Sequence, residues 1–229
     1  MELDGYLLKF TQYHDFSGYL TAYTSEGLIS IFAKDLLKRE EYQKYLASPL
    51  TLFKIHVSLS KMNTYSLLAL EEMVPLDFNM NALSDLNLIN FLKNALVTLT
   101  NEIDPDFFAV LKDFLMLFNR IDPLLQKCYF LIILCRYQGY NFVVDECIRC
   151  HSHQNINNYN IYDGGLLCLN CVGIKDRPHS IEVVKLFRAL NRATTENLDR
   201  ILPSKENLTI IYDDLKGMIK ESFNVLLDD

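Results

Sequence analysis

The first 75 residues carry the pattern of strands. Residues 5–13, 18–25 and 28–34 are rich in aromatic, leucine and β-branched side chains, and Ser25-Glu26-Gly27 supplies a turn between the second and third. Residues 50–59 alternate more cleanly: Leu52, Lys54, His56 and Ser58 fall on one face, and Phe53, Ile55, Val57 and Leu59 on the other. Residues 65–74 make a fifth candidate strand, closed by Pro75. The polar stretch 35–48 between the third and fourth strands suits a helix. Five strands with a helical insert after the third are what a small OB-type barrel requires. An SH3-like barrel or a plain meander uses the same strand count and stays open.

The period then changes to that of helices. Ser84 can cap a helix with Leu86, Ile89, Leu92, Leu96 and Leu99 on its apolar positions. Asp104-Pro105 and Asp122-Pro123 are two further start signals, because the carboxylate accepts orphan N–H groups and proline fits the first helical position. The third helix should stop near Gly139. These helices are apolar around much of their circumference, so they should pack centrally. Residues 141–180 read as a loop-rich segment. Ser180 can cap a helix beginning at Ile181, and residues 208–227 form the expected final helix.

Cysteine spacing adds chemistry to that segment. Cys147-x2-Cys150 and Cys168-x2-Cys171 have the two-knuckle pattern of a four-thiolate zinc site, in which each tight turn delivers two sulfurs to one metal. Gly164-Gly165 would let the chain reverse beside it. Two disulfides or four unrelated thiols are the alternatives, and His151 and His153 are near enough to compete as ligands. Four thiolates form a closed shell with no position for substrate, so the expected cofactor is one structural Zn2+. Cys128 and Cys135, seven residues apart on an apolar helix, read as buried core thiols.

Bulk composition narrows the function. Of 229 residues, 50 % are hydrophobic and 22 % charged, and the net charge is −7. That is globular composition, and anion binding would have to come from a local patch. The run 128–135 (CYFLIILC) is far short of the ~20 residues that cross a bilayer. With no secretory leader at the N-terminus, the expected location is cytoplasmic. HExxH, Walker A, GxSxG and GxGxxG motifs are absent, Asp104/Asp106 read as a helix cap and Asp213/Asp214 as a solvated face, and His14, His56 and His179 have no obvious partner. No enzyme is expected.

Two cationic clusters remain. Lys185, Arg188 and Arg192 recur along the helix from Ile181, where they could track phosphates or receive an acidic peptide; a solvated helix face is the alternative. Lys34, Lys38 and Arg39 follow the third strand, near aromatics able to stack bases.

In order and spacing these residues resemble the RecO family of DNA-repair recombination mediators. The likeness runs from GYLLKFTQYHDFSGYLTAYTSEGLISIFAK through Gly139-Tyr140 to CIRCHS…YNIYDGGLLCLNC, with its Gly-Gly before the second knuckle. The resemblance implies an α+β chain: an OB-fold barrel over 1–78 that binds nucleic acid, and a helical domain over 79–229 carrying the zinc segment 141–180. It implies a bacterial, nucleoid-associated protein that binds single- and double-stranded DNA and anneals strands. With a RecR-type partner it would load a RecA-type recombinase onto strands covered by single-stranded-DNA-binding protein, whose acidic C-terminal tail it recognises. Lys34 falls on the family's alanine-lysine position. A tail of carboxylates and apolar side chains would need a greasy groove edged by Arg or Lys, with Arg120, Lys127 and Arg136 as candidates. A zinc-containing adaptor that binds proteins and no DNA is the competing reading.

Overall fold

Strands β1 (Glu2–Tyr13), β2 (Ser17–Thr24), β3 (Gly27–Ala33), β4 (Leu52–Leu59) and β5 (Tyr65–Val74) close a barrel in the order β1-β2-β3-β5-β4. The computed structural model describes residues 1–61, 63–79, 81–99, 105–223 and 227. Parallel pairing of β3 with β5, through Ile31↔Tyr65 and Phe32↔Ser66, separates this barrel from a meander, whose neighbours are all consecutive and antiparallel. With helix α1 (Glu40–Ala47) between β3 and β4, the arrangement is that of an OB fold. The barrel interior collects Leu7, Leu20, Ile31, Phe53, Ile55 and Val57. Each such side chain contributes roughly 1.5–3 kcal/mol by leaving water. Leu59 departs from its expected inward face: it pairs with Tyr65 beside the β4–β5 turn, at the rim, and stays 49 % exposed.

Strand β1 starts earlier than the sequence suggests because residues 2–6 pair with β4 before the strand turns to β2. An irregularity between Leu7 and Lys9 makes the bend and leaves Tyr6, Leu7 and Leu8 buried in succession. Helices α2 (Leu83–Leu99) and α3 (Pro105–Leu115) follow. Rings of α3 lie on the barrel's outer surface, with Phe107 5.8 Å from Tyr23 and Phe108 5.9 Å from Tyr6. Burial pushes the Tyr6 hydroxyl up to about 12. The chain changes from strand to helix between β5 and α2, whereas its two compact units, Met1–Asn119 and Arg120–Asp228, divide after α3. Ser84 is not the α2 cap: the first helical bonds run to the Ala82 carbonyl, and Asp85 carries the first-turn charge and accepts from the Asn79 N–H. The expected cap at Asp104 lies outside the described residues.

In the second unit α4 (Pro123–Tyr137) runs buried without interruption from Leu125 to Cys135, as its all-round apolar sequence demands. Burial pushes the Cys135 thiol up to about 12 and the Cys128 thiol higher, so both are core thiols. Asp122 caps the helix through Leu124 N–H (2.8 Å) and Leu125 N–H (3.1 Å). Gly139, at φ +83°, ends it, with Tyr140 N–H donating to Cys135 O and Gly139 N–H to Arg136 O. Replacing Asp122 with alanine should cost about 1 kcal/mol, read as a lower midpoint in urea unfolding without a change in slope.

Helix α5 (Ile181–Arg192) is capped by Ser180, and α6 (Lys205–Phe223) begins three residues before its expected start, with Ser204 accepting from Asn207 N–H. The expected end of that helix near 227 falls partly outside the described residues. The segment read as loop-rich contains a sheet of β6 (Val143–Cys147), β7 (Ile156–Asn160) and β8 (Gly165–Cys168), in the order β6-β8-β7. Four- and five-residue strands escape a periodicity reading.

Candidate metal centre and binding surfaces

The two knuckles meet because their strands do. β6 and β8 are parallel neighbours, so Cys147 and Cys168 leave the sheet at the same end, and each chain then turns through its C-x2-C. The turns are closed by His151 N–H to Cys147 O (2.8 Å) and Cys171 N–H to Cys168 O (2.9 Å). Gly164-Gly165 acts differently from the expected reversal beside the metal. The chain reverses at 161–164, where Gly164 takes φ +83°, and Gly165 lies so close to β6 that a Cβ would stand 2.6 Å from Val143 O.

All six cysteines are unbonded, and the four knuckle sulfurs lie 3.5–3.9 Å from one another. That excludes a disulfide, whose sulfurs sit ~2.05 Å apart. Tetrahedral thiolates at a Zn–S distance of ~2.3 Å would be ~3.8 Å apart, so this donor set fits zinc. Cys147 and Cys168 are buried and Cys150 exposed. Burial opposes ionisation of Cys147, but backbone N–H groups of Cys168, Cys150 and Arg149 outweigh it and bring this thiol down to about 6. Cys171 shares hydrogen bonds with Cys150 and Cys168 and is pushed up to about 12. Neither histidine joins the cluster: His151 Nδ1 pairs with Glu146 (2.7 Å) and His153 Nδ1 with the Asp145 carbonyl (3.0 Å).

Two polar networks around the knuckles have no signature in the sequence. Arg149, inside the first C-x2-C, donates to both oxygens of Asp176 (2.7 Å each), to Asp163 (2.8 Å) and to Cys171 O (2.6 Å). Asp176 also accepts from Gly173 N–H and Asn160 Nδ2, and the Arg149 guanidinium holds its carboxyl well below the usual carboxylate range. This latch joins the first knuckle to the chain leaving the second. Arg149→Ala should weaken zinc retention ~10–100-fold, as for other groups that orient metal ligands, and chelator competition would read the loss.

The second network corrects the reading of Asp214 as solvated. Its carboxylate is buried and accepts from Tyr159 OH (2.5 Å), His179 Nε2 (2.9 Å) and Arg177. The Tyr159 ring stacks between His179 (4.0 Å) and Phe187 of α5 (4.3 Å). Sheet, α5 and α6 are therefore joined at one point.

A family model described as Recombination protein O C terminal matches residues 86–222, more than half of the chain and including both knuckles. The chain belongs to this family. Its role therefore lies in recombination and repair. No curated protein matches it. Among the described residues no helix is long and apolar enough to cross a membrane.

Most of the cations singled out in the sequence are engaged within the molecule. Lys34 is exposed and, among the described residues, has no ion-pair partner. Lys38 pairs with Asp35 (3.0 Å), and Arg39 lies over the Tyr42 ring and donates to its hydroxyl (3.1 Å). Lys185 is exposed, but Arg188 and Arg192 both turn to Asp145. Lys127 is buried, with its ammonium over Tyr212, because it sits on the central helix. Arg136 donates to Asn191 O (2.9 Å). Among the described residues, the tail candidate Arg120 edges a groove of 330 Å³ walled by Ile121, Leu125, Ile201 and Leu202, where Lys205 is a second cation and Asp122 and Asp199 are two carboxylates that the sequence reading missed.

Proposed function

We propose that this RecO-family chain is a recombination mediator that binds single- and double-stranded DNA, promotes annealing, and works with a RecR-type partner. Together they would load a RecA-type recombinase onto strands covered by single-stranded-DNA-binding protein. The observation that carries the reading is an OB barrel joined to a chain whose larger part matches a recombination-protein family. Residues 1–78 would contact nucleic acid through Lys34, Lys38 and Arg39, and residues 79–229 would recruit partners, with Lys185, Arg188 and Arg192 as a further phosphate-facing stripe. Cys147, Cys150, Cys168 and Cys171 would hold one zinc. The ion would supply charge compensation and a rigid node for the segment 141–180, with no open position for catalysis. The acidic tail of the single-stranded-DNA-binding protein would lie in the groove beside Arg120, its carboxylates toward Arg120 and Lys205 and its apolar groups on Leu202. This work belongs in the bacterial cytoplasm, at the nucleoid, and breaks no covalent bond.

A second reading, an adaptor that binds proteins and reaches DNA only through its partner, is favoured by the net charge of −7 and by the pairing of Lys38, Arg188 and Arg192 to carboxylates. Fluorescence anisotropy of the zinc-loaded protein with single-stranded DNA and with the tail peptide separates the two. The mediator reading expects both ligands to bind, with DNA affinity falling as salt rises, and Arg120→Glu to weaken the peptide ~10-fold or more while sparing DNA. Peptide binding without DNA binding would leave the adaptor; binding of neither would end both readings.

A further inference from the structure

The outer face of the barrel carries a row of aromatic rings that its packing does not use. Residues alternate across β2, so Tyr19, Thr21 and Tyr23 share the outer side. Tyr23 is 1 % exposed beneath the rings of α3, whereas Tyr19 is 40 % exposed. Tyr19 stands directly opposite Phe32 of β3, with ring centroids 5.3 Å apart, and 5.8 Å from Tyr13 of β1, itself 50 % exposed. Three strands thus hold a continuous strip of rings at fixed spacing. Burying even one such ring would stabilise the fold by a few kcal/mol, so a strip left open is unexplained by folding.

Beside the strip lies a cleft of 540 Å³, lined by Tyr19 and Phe32 and by the polar side chains of Ser30, Asn63, Thr64 and Ser66. Its far wall is the β4–β5 turn, cross-tied by Ser60 N–H to Thr64 O (3.0 Å). Exposed Lys34 continues the outer row of β3 just past Phe32, and exposed Lys61 lies in the β4–β5 turn. Rings for base faces, a polar cleft for base edges and a cation at either end are complementary to an unpaired nucleic-acid strand. They are poorly matched to a duplex, whose base faces are hidden.

Building on the proposed DNA binding, we infer that Tyr13, Tyr19 and Phe32 form a stacking subsite selective for single-stranded DNA, distinct from the Lys38/Arg39 cluster. Base-on-ring stacking depends little on salt, and few phosphates are neutralised here. Binding through this subsite should therefore show a slope of log K against log salt of only about −0.7 to −1.4, as expected for one or two phosphate contacts. Each ring removed should weaken single-strand binding ~10-fold, near the middle of the range for a stacked base.

The test compares fluorescent oligothymidine with a duplex of equal length, using the zinc-loaded full chain and its Tyr19→Ala, Phe32→Ala, Tyr19→Phe and Lys34→Ala variants, each checked by thermal melting. Crosslinking to 5-iodouracil, mapped by mass spectrometry, reports contact without any substitution. The subsite predicts ~10-fold loss for single strands in both alanine variants, near-normal binding in Tyr19→Phe, little change for the duplex, and crosslinks on Tyr19 or Phe32. Single-strand binding that survives both alanine variants but falls with Lys34→Ala would overturn the stacking subsite and leave DNA binding by the barrel intact. Absence of single-strand binding in the unaltered protein would overturn both.

Discussion

Cys168→Ser is expected to abolish zinc retention and to unfold the segment around the knuckles while leaving the barrel folded. The reason is the size of the core there. Among the described residues, the cluster at the knuckles buries Cys147, Leu167 and Cys168, helped by partly buried Ile148, Ile156 and Val172, while Tyr159 and Leu166 are buried elsewhere in the small sheet. Such a cluster cannot offset the ordering of some thirty residues at ~1–2 kcal/mol of backbone entropy each. Zinc binding contributes on the order of 10 kcal/mol to folding in isolated zinc peptides. Here the Arg149 latch and the Tyr159 stack carry part of the load, so the loss should be smaller than that, yet spread over the whole sheet. Metal analysis should find zinc in the unaltered protein and little in the variant. Hydrogen exchange should rise throughout β6, β7 and β8 and stay low in β1–β5. Retained metal, or protection lost equally in the barrel, would contradict the assignment of these four cysteines.

Asp214→Ala should have the second largest effect, about 2–5 kcal/mol, because it leaves two buried donors, Tyr159 OH and His179 Nε2, without their acceptor at ~1–3 kcal/mol each, while the exposed Arg177 turns to water. The same residue should shape acid stability. Burial pushes its carboxyl up, but the hydrogen bonds from His179 and Tyr159, together with the Arg177 charge, outweigh this and place it below its ordinary value of 3.8. A carboxylate more acidic when folded stabilises fully above the unfolded value and loses that contribution as pH falls through the folded one. Urea titrations of the unaltered protein between about pH 6 and pH 3 should therefore show stability falling at the acid end, with a shallower fall in Asp214→Asn. An equal fall in both would remove Asp214 from the account of acid sensitivity.

Both residues show how far the chain can be read without its fold. Cys168 is conspicuous at once: four cysteines in two C-x2-C turns announce one candidate metal site wherever the strands lie, because each turn brings together a pair of sulfurs only three residues apart. Asp122-Pro123, Gly139 and Ser180 are legible for the same reason, since a helix end is closed by groups within five residues of one another, through a side chain at Asp122 and Ser180 and through backbone at Gly139. The alternation of β4 announces its inner face over five residues, and the resemblance to RecO chains in the barrel and knuckles anticipated the family.

Asp214 was illegible. As part of Asp213-Asp214 it looks like any solvated acidic pair, and only the packing of α6 on the sheet brings it to Tyr159, fifty-five residues away in sequence. Arg149 and Asp176, Arg188 and Arg192 on Asp145, and the burial of Lys127 belong to the same class. A cationic stripe can be seen in a helix, but not the carboxylate that a neighbouring strand will place against it. By itself the sequence determined the elements that close over a few residues, the four-cysteine cluster and the family. The tertiary structure decided which charges are cancelled within the molecule, which rings stay open on the barrel and which groove opens beside Arg120. Those depend on contacts between distant residues, and their energies arise only once the chain has brought the groups out of water and together.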